Sequence, residues 1–283
     1  MDLDDVPAVA SGSAGGIPND PDAMPAAPDY DTMSFGELLG DANWKAHKAA
    51  FDRLANGGED VDVGAFASML PKLVKDVNGP AADSFVEALA TALEDEVVDA
   101  AAVAEVALGP VADKGLTGRQ RAAAASARVL KALTTAGQGE PVFAALAKGM
   151  SAKAPKLRHV SIQALANVVK ELGIHHFNLK QLIKAIVPLF NDTDAKVRKE
   201  AMTAVTHCYR FVGAGIEPFL TDVRDVQKQE LDRMFAAVSD ELAASHGTHK
   251  APAAGRAPGN GAGKPEGLER RSQSPPDMDA LAA

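Results

Sequence analysis

Basic residues recur in pairs, separated by a single residue, at four places along the chain. The four segments are Lys45-Ala46-His47, Arg119-Gln120-Arg121, Lys156-Leu157-Arg158 and Lys196-Val197-Arg198. Each is predicted to begin a helix, and the partial positive charge of a helix N-terminus disfavours a cation there by about 0.3 to 1 kcal/mol. Sequences usually carry Asp or Glu at such positions. Because the same exception recurs in register, we expect these side chains to bind an anionic surface.

The competing interpretation is that these residues are ordinary solvated charges, since most Lys and Arg are. That interpretation suits any one of them, whereas recurrence at one position of a repeat favours a binding edge. The second predicted helix pair breaks the pattern, because Ala81-Ala82-Asp83 contains no cation. Its turn is therefore expected to contribute differently or not at all.

Trp44 is the single tryptophan of the chain, and it lies beside Lys45 after the short segment Gly40-Asp41-Ala42-Asn43. From residue type alone, a lone tryptophan is more often a partly buried core residue than a contact. If it does contact a partner, its area of about 150 to 250 Å² makes it the dominant contact. The exposed cations would then contribute about 0.2 to 1 kcal/mol each and mainly set association rate and salt sensitivity.

The elements that must position these residues are helices. Apolar residues step by three and four, as in Leu157, Val160, Ala164, Leu165, Val168 and Leu172. The predicted pairs, about 35 to 40 residues apart, are 35–39 with 44–54, 63–75 with 81–93, 100–112 with 119–134, 141–150 with 155–172, 179–191 with 195–212, and 216–220 with 226–238. The predicted fold is all-α: a solenoid of about six HEAT-like pairs whose turns line up along one edge.

Composition divides the chain into three parts. Residues 1–33 carry seven Asp and no Lys or Arg, and are predicted to be a disordered acidic tail. Residues 243–283, rich in Gly, Pro, Ala and Ser, are predicted to be a disordered linker or tail. Residues 34–242 form the predicted domain. The net charge of −9 falls to −2 without the acidic tail, which disfavours nonspecific nucleic-acid binding.

Other chemistry has little support in the residues. Cys208 is the single cysteine, so no internal disulfide forms, and the expected compartment is reducing. No apolar run approaches membrane-spanning length, and aspartates stand where a signal peptide would be basic, which predicts a soluble intracellular protein. His175-His176 and the pair His246 and His249 lack further metal ligands at useful spacing. We therefore expect no enzyme activity, no metal and no cofactor.

Several blocks in order resemble the TOG domains of the microtubule polymerases typified by the frog microtubule-associated protein and its human, yeast and plant relatives. The resemblance covers about Phe35 to Val238. Its most specific blocks are Asn43-Trp44-Lys45-Ala46, Ala154-Pro155-Lys156, Ile186-Val187-Pro188-Leu189-Phe190, Asp194-Ala195-Lys196-Val197-Arg198-Lys199-Glu200-Ala201 and Asp222-Val223-Arg224-Asp225-Val226-Gln227-Lys228-Gln229-Glu230-Leu231.

The resemblance implies a flat paddle of six HEAT-like pairs whose turns bind curved, unpolymerised αβ-tubulin. Trp44 matches the first-turn tryptophan that packs on β-tubulin, and Lys196 with Arg198 matches the fifth-turn pair that reaches α-tubulin. Arg119 and Arg121 match the basic residues of the third turn. The complete set of predicted tubulin-binding residues is Trp44, Lys45, Asn78, Arg119, Arg121, Lys153, Lys156, Arg158, Lys196 and Arg198.

Two departures from the family pattern affect the turns. Ala154 stands where the family often has a helix-capping Asn, and a lost cap costs about 1 kcal/mol, so the fourth turn is expected to be less rigid. The second turn, residues 76–81, lacks a bulky apolar or basic contact. The chain also shows one TOG-like array where family members usually carry several, and a lone module gains no avidity. Polymerase activity is therefore expected to need dimerisation, a partner, or further chain.

The predicted function is binding of the αβ-tubulin dimer and microtubule ends, which promotes or regulates microtubule polymerisation and plus-end dynamics. The predicted location is the cytoplasm and cytoskeleton, on microtubules, spindle and centrosome. Neither nucleic acid nor membrane is expected as a partner, whereas further TOG modules or a dimerisation partner are. The alternative is a general HEAT-repeat scaffold or adaptor, which has no reason to place Trp44 and the cations along one edge.

Overall fold

The computed structural model describes residues 28–76 and 79–247, and within these ranges all regular structure is helical. The helices are α1 (Phe35–Gly40), α2 (Trp44–Ala55), α3 (Val63–Asp76), α4 (Gly79–Glu94), α5 (Ala100–Pro110), α6 (Gln120–Leu133), α7 (Gly139–Met150), α8 (Pro155–Leu172), α9 (Leu179–Ile186), α10 (Ala195–Val212) and α11 (Asp225–Gly247). The predicted all-α class is confirmed.

Four shorter segments modify the predicted pairs. The chain continues from α5 into a π-helical turn, Val111–Gly115, whereas Thr134–Gln138 contains a kink between α6 and α7 at which Gly137 has a φ of 84°. After α9 it tightens into a 3₁₀ segment, Val187–Asn191, where Pro188 has no N–H to continue an α-helix. The predicted helix 216–220 is instead a 3₁₀ segment, Gly213–Phe219, which contains Pro218.

The helices form two layers within the compact unit that ends at Glu241. In one layer α2, α4, α6, α8 and α10 contact one another in chain order, and in the other α1, α3, α5, α7 and α9 do so. Phe51, Phe66 and Phe85 pack between the layers, with ring centroids of Phe51 and Phe85 5.3 Å apart. Each helix pair can bury its apolar face only against its neighbours, which is the property of a repeat stack.

Local sequence sets most helix ends. Ser34 begins α1 with a capping box, in which its hydroxyl accepts from the Glu37 N–H and the Glu37 carboxylate accepts from the Ser34 N–H. Helices α8 and α10 end at Gly173 and Gly213, whose φ angles of 85° and 54° suit glycine. These signals lie within a few residues of each end.

The packed chain begins before Ser34. The guanidinium of Arg53 donates to the carbonyl oxygens of Met33 at 2.9 Å and Tyr30 at 3.1 Å, and Tyr30 packs against the core. The predicted disorder of residues 1–27 and 248–283 lies outside the described residues. None of the described helices combines the length and the apolar character needed to cross a lipid bilayer.

Candidate protein-binding edge

The turns between paired helices lie along one edge of the stack, because the second helices of successive pairs pack side by side in the same direction. We call this the turn edge. Its described turns are the first (Asp41 to Asn43), third (Gly118 to Arg119), fourth (Ser151 to Ala154) and fifth (Asp192 to Asp194). The second turn includes Asn78, which lies outside the described residues.

The first turn presents Trp44 and Lys45. The Asn43 side chain caps α2 by accepting from the Lys45 N–H at 3.0 Å. Trp44 is half-buried and packs against the core, so its ring is neither sealed inside nor free. Lys45 is exposed and has no ion pair with the described residues.

His47 does not belong to the exposed set, although it completes the first basic pair in the sequence. Its side chain is buried, with 7% of the residue surface exposed, and its ring lies 6.2 Å from that of Phe51. No described group bonds its Nε2. In the first turn, therefore, the second position of the pattern packs in the core.

The third turn places two arginines against α4, the neighbouring helix of α6 in the same layer. Arg119 Nη1 lies 3.4 Å from Asp83 Oδ2, and Arg121 Nε lies 3.7 Å from Glu87 Oε2. The arginine side chains remain 71% and 59% exposed. Long contacts between exposed charges contribute little to stability, so both guanidinium groups remain available to a partner.

The fourth turn is held by Arg158. Ala154 provides no side-chain cap for α8, as its type predicts. Arg158 compensates by donating from Nη1 to the carbonyl oxygens of Ala152 and Lys153, at 3.0 and 2.8 Å. Its Nε and Nη2 also donate to the two carboxylate oxygens of Asp192, at 2.7 and 2.8 Å. The sequence-based expectation of a less rigid fourth turn considered only the missing cap and did not include these bonds.

Arg198 holds the fifth turn in the same way. Its Nη1 donates to the carbonyl oxygens of Asp192 and Thr193, at 2.7 and 3.1 Å. These acceptors precede Arg198 by six and five residues, as Ala152 and Lys153 precede Arg158. The second arginine of the pattern thus orders its own turn in both repeats.

Asp192 joins the fourth and fifth turns, and sequence reasoning did not single it out. Its side chain is 7% exposed and that of Arg158 is 13% exposed. Hydrogen bonding from the Arg158 guanidinium holds the pKa of the Asp192 carboxyl below its ordinary value. The clue available in the sequence is that Asp192 follows Arg158 by about one repeat.

The first cation of each basic pair points elsewhere. Lys156 Nζ donates to the Thr117 carbonyl oxygen at 2.6 Å, which links the fourth turn to the third. Lys153 and Lys196 are exposed and have no ion pair with the described residues. The turn edge therefore brings together Trp44 and a row of cations, of which Lys45, Lys153 and Lys196 are uncommitted.

The part of the chain that the structure describes offers no cluster of metal ligands. No group of three or more His, Cys, Asp or Glu side chains there is placed to hold a metal ion. The rings of His175 and His176 are tilted by 39° with their centroids 4.0 Å apart, and His249 lies outside the described residues. Burial and the neighbouring His175 lower the pKa of His176, which disfavours its charged form.

A stack of helix pairs with an aromatic side chain and cations along its turns defines a helical-repeat binding module. The family profile described as XMAP215/Dis1/CLASP, TOG domain matches residues 29–235. The chain belongs to this family, which confirms the resemblance of the sequence to TOG domains.

Relatives in the family are much longer proteins. Protein mini spindles of Drosophila melanogaster is 26% identical over 204 residues, which cover 70% of this chain and 10% of that protein. The spindle pole body component alp14 of Schizosaccharomyces pombe is 30% identical over 139 residues, covering 48% of this chain and 17% of that protein. The chain thus corresponds to a small part of each.

Solved structures confirm the fold. The third TOG domain of Drosophila melanogaster Mini spindles superposes with a TM-score of 0.59 at 20% identity, covering 72% of this chain and 92% of that one. The MAST/Orbit N-terminal domain gives 0.61 at 19% identity, covering 72% and 96%. A structure that concerns tubulin recruitment and assembly by microtubule polymerases with TOG domain arrays also gives a TM-score of 0.61 at 19% identity. The match covers 76% of this chain and 51% of that one.

Proposed function

We propose that this chain is a non-catalytic module that binds the αβ-tubulin dimer through its turn edge and so regulates microtubule polymerisation and plus-end dynamics. The observation that carries the proposal is the position of Trp44, half-buried at the same edge as the uncommitted lysines. Family membership supplies the class of partner, since related TOG domains are described as binding tubulin. The proposed location is the cytoskeleton, with the spindle and centrosome among its sites.

The residues of the edge take different parts in this proposal. Trp44 is the anchor, because a partly buried aromatic ring adds contact area at little entropic cost. Lys45, Lys153, Lys156 and Lys196, with the exposed Arg119 and Arg121, attract the acidic partner and set its register. Arg158 and Arg198 are proposed contacts that also hold the turns in shape, because Arg158 donates to the Ala152 carbonyl oxygen and to Asp192, and Arg198 donates from Nη1 to the Asp192 carbonyl oxygen.

Polymerase activity needs more than one such edge. A second tubulin-binding unit raises the effective concentration of the next dimer, and one module cannot supply this. The family profile matches one stretch of this chain, residues 29–235. We therefore propose that the chain binds one dimer, and that polymerisation requires a second unit from a dimer, a partner or additional chain.

The test mixes the purified chain with tubulin at low salt and measures co-elution and the dissociation constant. Trp44→Glu is expected to weaken binding about thirtyfold, the effect of a hot spot of about 2 kcal/mol. Helix content measured by circular dichroism should not change. Phe211→Glu is the matched control, because Phe211 is 46% exposed and lies at the C-terminal end of α10, away from the turns.

Two results would refute the proposal. One is the absence of any complex between the unmodified chain and tubulin. The other is a Trp44→Glu chain that unfolds, which assigns the indole to the core and favours a general helical-repeat scaffold.

A further inference from the structure

A cleft opens beside the turn edge, between the third and fourth helix pairs. It has a volume of about 660 Å³ and is lined by the C-terminal parts of α5 and α7 and by the fourth turn. Three exposed lysines stand around it, Lys114, Lys148 and Lys153. Asp113 is the one acidic residue among the described residues of its lining. We call this the lysine cleft.

The lining of the lysine cleft fits an acidic peptide that also carries apolar side chains. None of its three lysines forms an ion pair with the described residues, so their ammonium groups are free to meet carboxylates. Between them the surface is apolar, with Pro110, Ala145 and Leu157. Aliphatic side chains gain free energy when they leave water for such a surface.

We propose that the lysine cleft is the docking site of this chain's own N-terminal segment, residues 1–27. The segment carries five Asp and no Glu, Lys or Arg. Its first nine residues interleave carboxylates with aliphatic side chains: Asp2, Leu3, Asp4, Asp5, Val6 and Val9. Both features of the cleft, its free ammonium groups and its apolar floor, thus have counterparts in one short stretch.

The segment is long enough to reach the cleft. The bonds from Arg53 fix the chain at Tyr30, at the C-terminal end of α2. From the C-terminal end of α2 to its N-terminal end, at the turn edge, the distance is about 18 Å. From the first helix pair to the cleft between the third and fourth pairs, the distance is about 25 Å, at about 10 Å per pair. The direct path is about 31 Å, whereas the residues between Val9 and Pro28 extend to about 60 Å.

Docking there has a consequence for the turn edge, and this consequence rests on the proposed function. Lys153 belongs both to the lysine cleft and to the proposed tubulin contact. A segment seated on Lys153 competes with tubulin, so the acidic segment acts as an internal competitor. The docking itself requires no tubulin and can be tested without it.

The test is zero-length crosslinking of the full chain with a carbodiimide, which joins lysine amines to carboxylates in direct contact. Mass spectrometry is expected to find Asp2, Asp4 or Asp5 joined to Lys114, Lys148 or Lys153. A mixture of unlabelled and isotope-labelled chains distinguishes links within one chain from links between two. The expected links are within one chain.

The control uses two lysines of α9, Lys180 and Lys184, which are also exposed and lie outside the cleft. Three results would overturn the proposal. The crosslinks of Asp2, Asp4 and Asp5 could favour these two control lysines, they could occur only between chains, or no crosslinks could form at all. Lys114→Gln with Lys148→Gln should lower the yield of the remaining Lys153 links, because the segment loses two of its three attractions.

A second measurement separates the docking from the tubulin proposal. A chain with Asp2, Asp4 and Asp5 each replaced by Asn should bind tubulin about threefold more tightly if the cleft is otherwise covered about two thirds of the time. Crosslinks without any tubulin binding would refute the proposed function and leave the docking intact. If the crosslinks form but the unmodified chain and the Asn variant bind tubulin with equal affinity, the segment does not compete with tubulin.

Discussion

Cations at the two ends of the layer formed by α2, α4, α6, α8 and α10 are used differently. At the turn edge, Lys45, Lys153 and Lys196 have no ion pair with the described residues. Toward the C-terminal ends, which we call the opposite edge, Arg128 bonds Glu87 and Glu94, Lys131 Nζ lies 2.6 Å from Glu171, and Arg210 bonds Glu241 at 3.1 Å. Paired cations join neighbouring repeats, whereas unpaired cations leave their charge available to a partner.

Arg158 forms the most buried of the ion pairs described at the turn edge, and replacing it should have the largest effect on folding. Arg158→Ala removes its bonds to two carbonyl oxygens and leaves the Asp192 carboxylate without its main partner. We expect a loss of about 2 kcal/mol in the free energy of unfolding, because bonds to charged groups are costly to break. Urea denaturation followed by circular dichroism measures it.

The control for Arg158→Ala comes from the opposite edge. Arg210→Ala breaks an ion pair whose side chains are 38% and 61% exposed, so the expected loss is less than about 1 kcal/mol. Equal losses in the two variants would show that Arg158 is no more important to the fold than a surface charge.

Removing uncommitted cations should weaken tubulin binding without affecting the fold. Lys153→Gln combined with Lys196→Gln is expected to raise the dissociation constant about fivefold, and to reduce its dependence on salt, because exposed charges contribute about 0.2 to 1 kcal/mol each. The comparison variant, Lys131→Gln with Lys170→Gln, removes the same charge from the opposite edge. If it weakens binding as much, net charge alone decides affinity.

Acid should weaken the turn edge through Asp192. The Arg158 guanidinium lowers the pKa of this carboxyl from its ordinary value of 3.8, so its contribution to stability is complete above that value. It is lost as the pH falls from 3.8 toward the lowered folded-state pKa. The difference in urea midpoint between the unmodified chain and Asp192→Asn should therefore shrink below pH 4. A constant difference would mean that the ion pair does not sense protonation.

The smallest expected effect lies at the opposite edge. Glu96 has φ of 56°, in the left-handed region, and follows α4 in a turn where the Val97 N–H bonds the Ala92 carbonyl at 3.0 Å. Glycine takes this conformation without strain, so Glu96→Gly should raise the free energy of unfolding by about 0.5 to 1 kcal/mol. Thermal and urea unfolding both measure the gain. A loss would reveal a stabilising contact of the Glu96 side chain.

The sequence alone predicted the helix bounds that depend on residues close together in the chain. Helices Pro155–Leu172 and Ala195–Val212 have the predicted bounds, because a proline or an Asp cap begins each and a glycine ends it. Contacts across repeats could not be read in this way. Arg158 meets Asp192 and Lys156 meets Thr117 only because neighbouring turns stack.

The candidate site was predictable in its position but not in the use of each side chain. Helix-end position and residue type selected Lys196 and Arg198 alike, although one is uncommitted and the other bonds its own turn. His47 showed the same limit, since periodicity could not tell whether its ring faced solvent or core. The contacts of the full predicted set with tubulin, including Asn78 and Lys153, remain predictions.

The single cysteine is buried, so it does not interfere with fluorescent labelling of the turn edge. Cys208 is fully buried in α10, and burial raises the pKa of its thiol to about 12, so at neutral pH the thiolate that reacts with maleimides is scarcely present. A cysteine introduced at exposed Ser151 would therefore take up a fluorophore selectively. Its emission would report, without removal of the native thiol, whether the fourth turn is covered or bare.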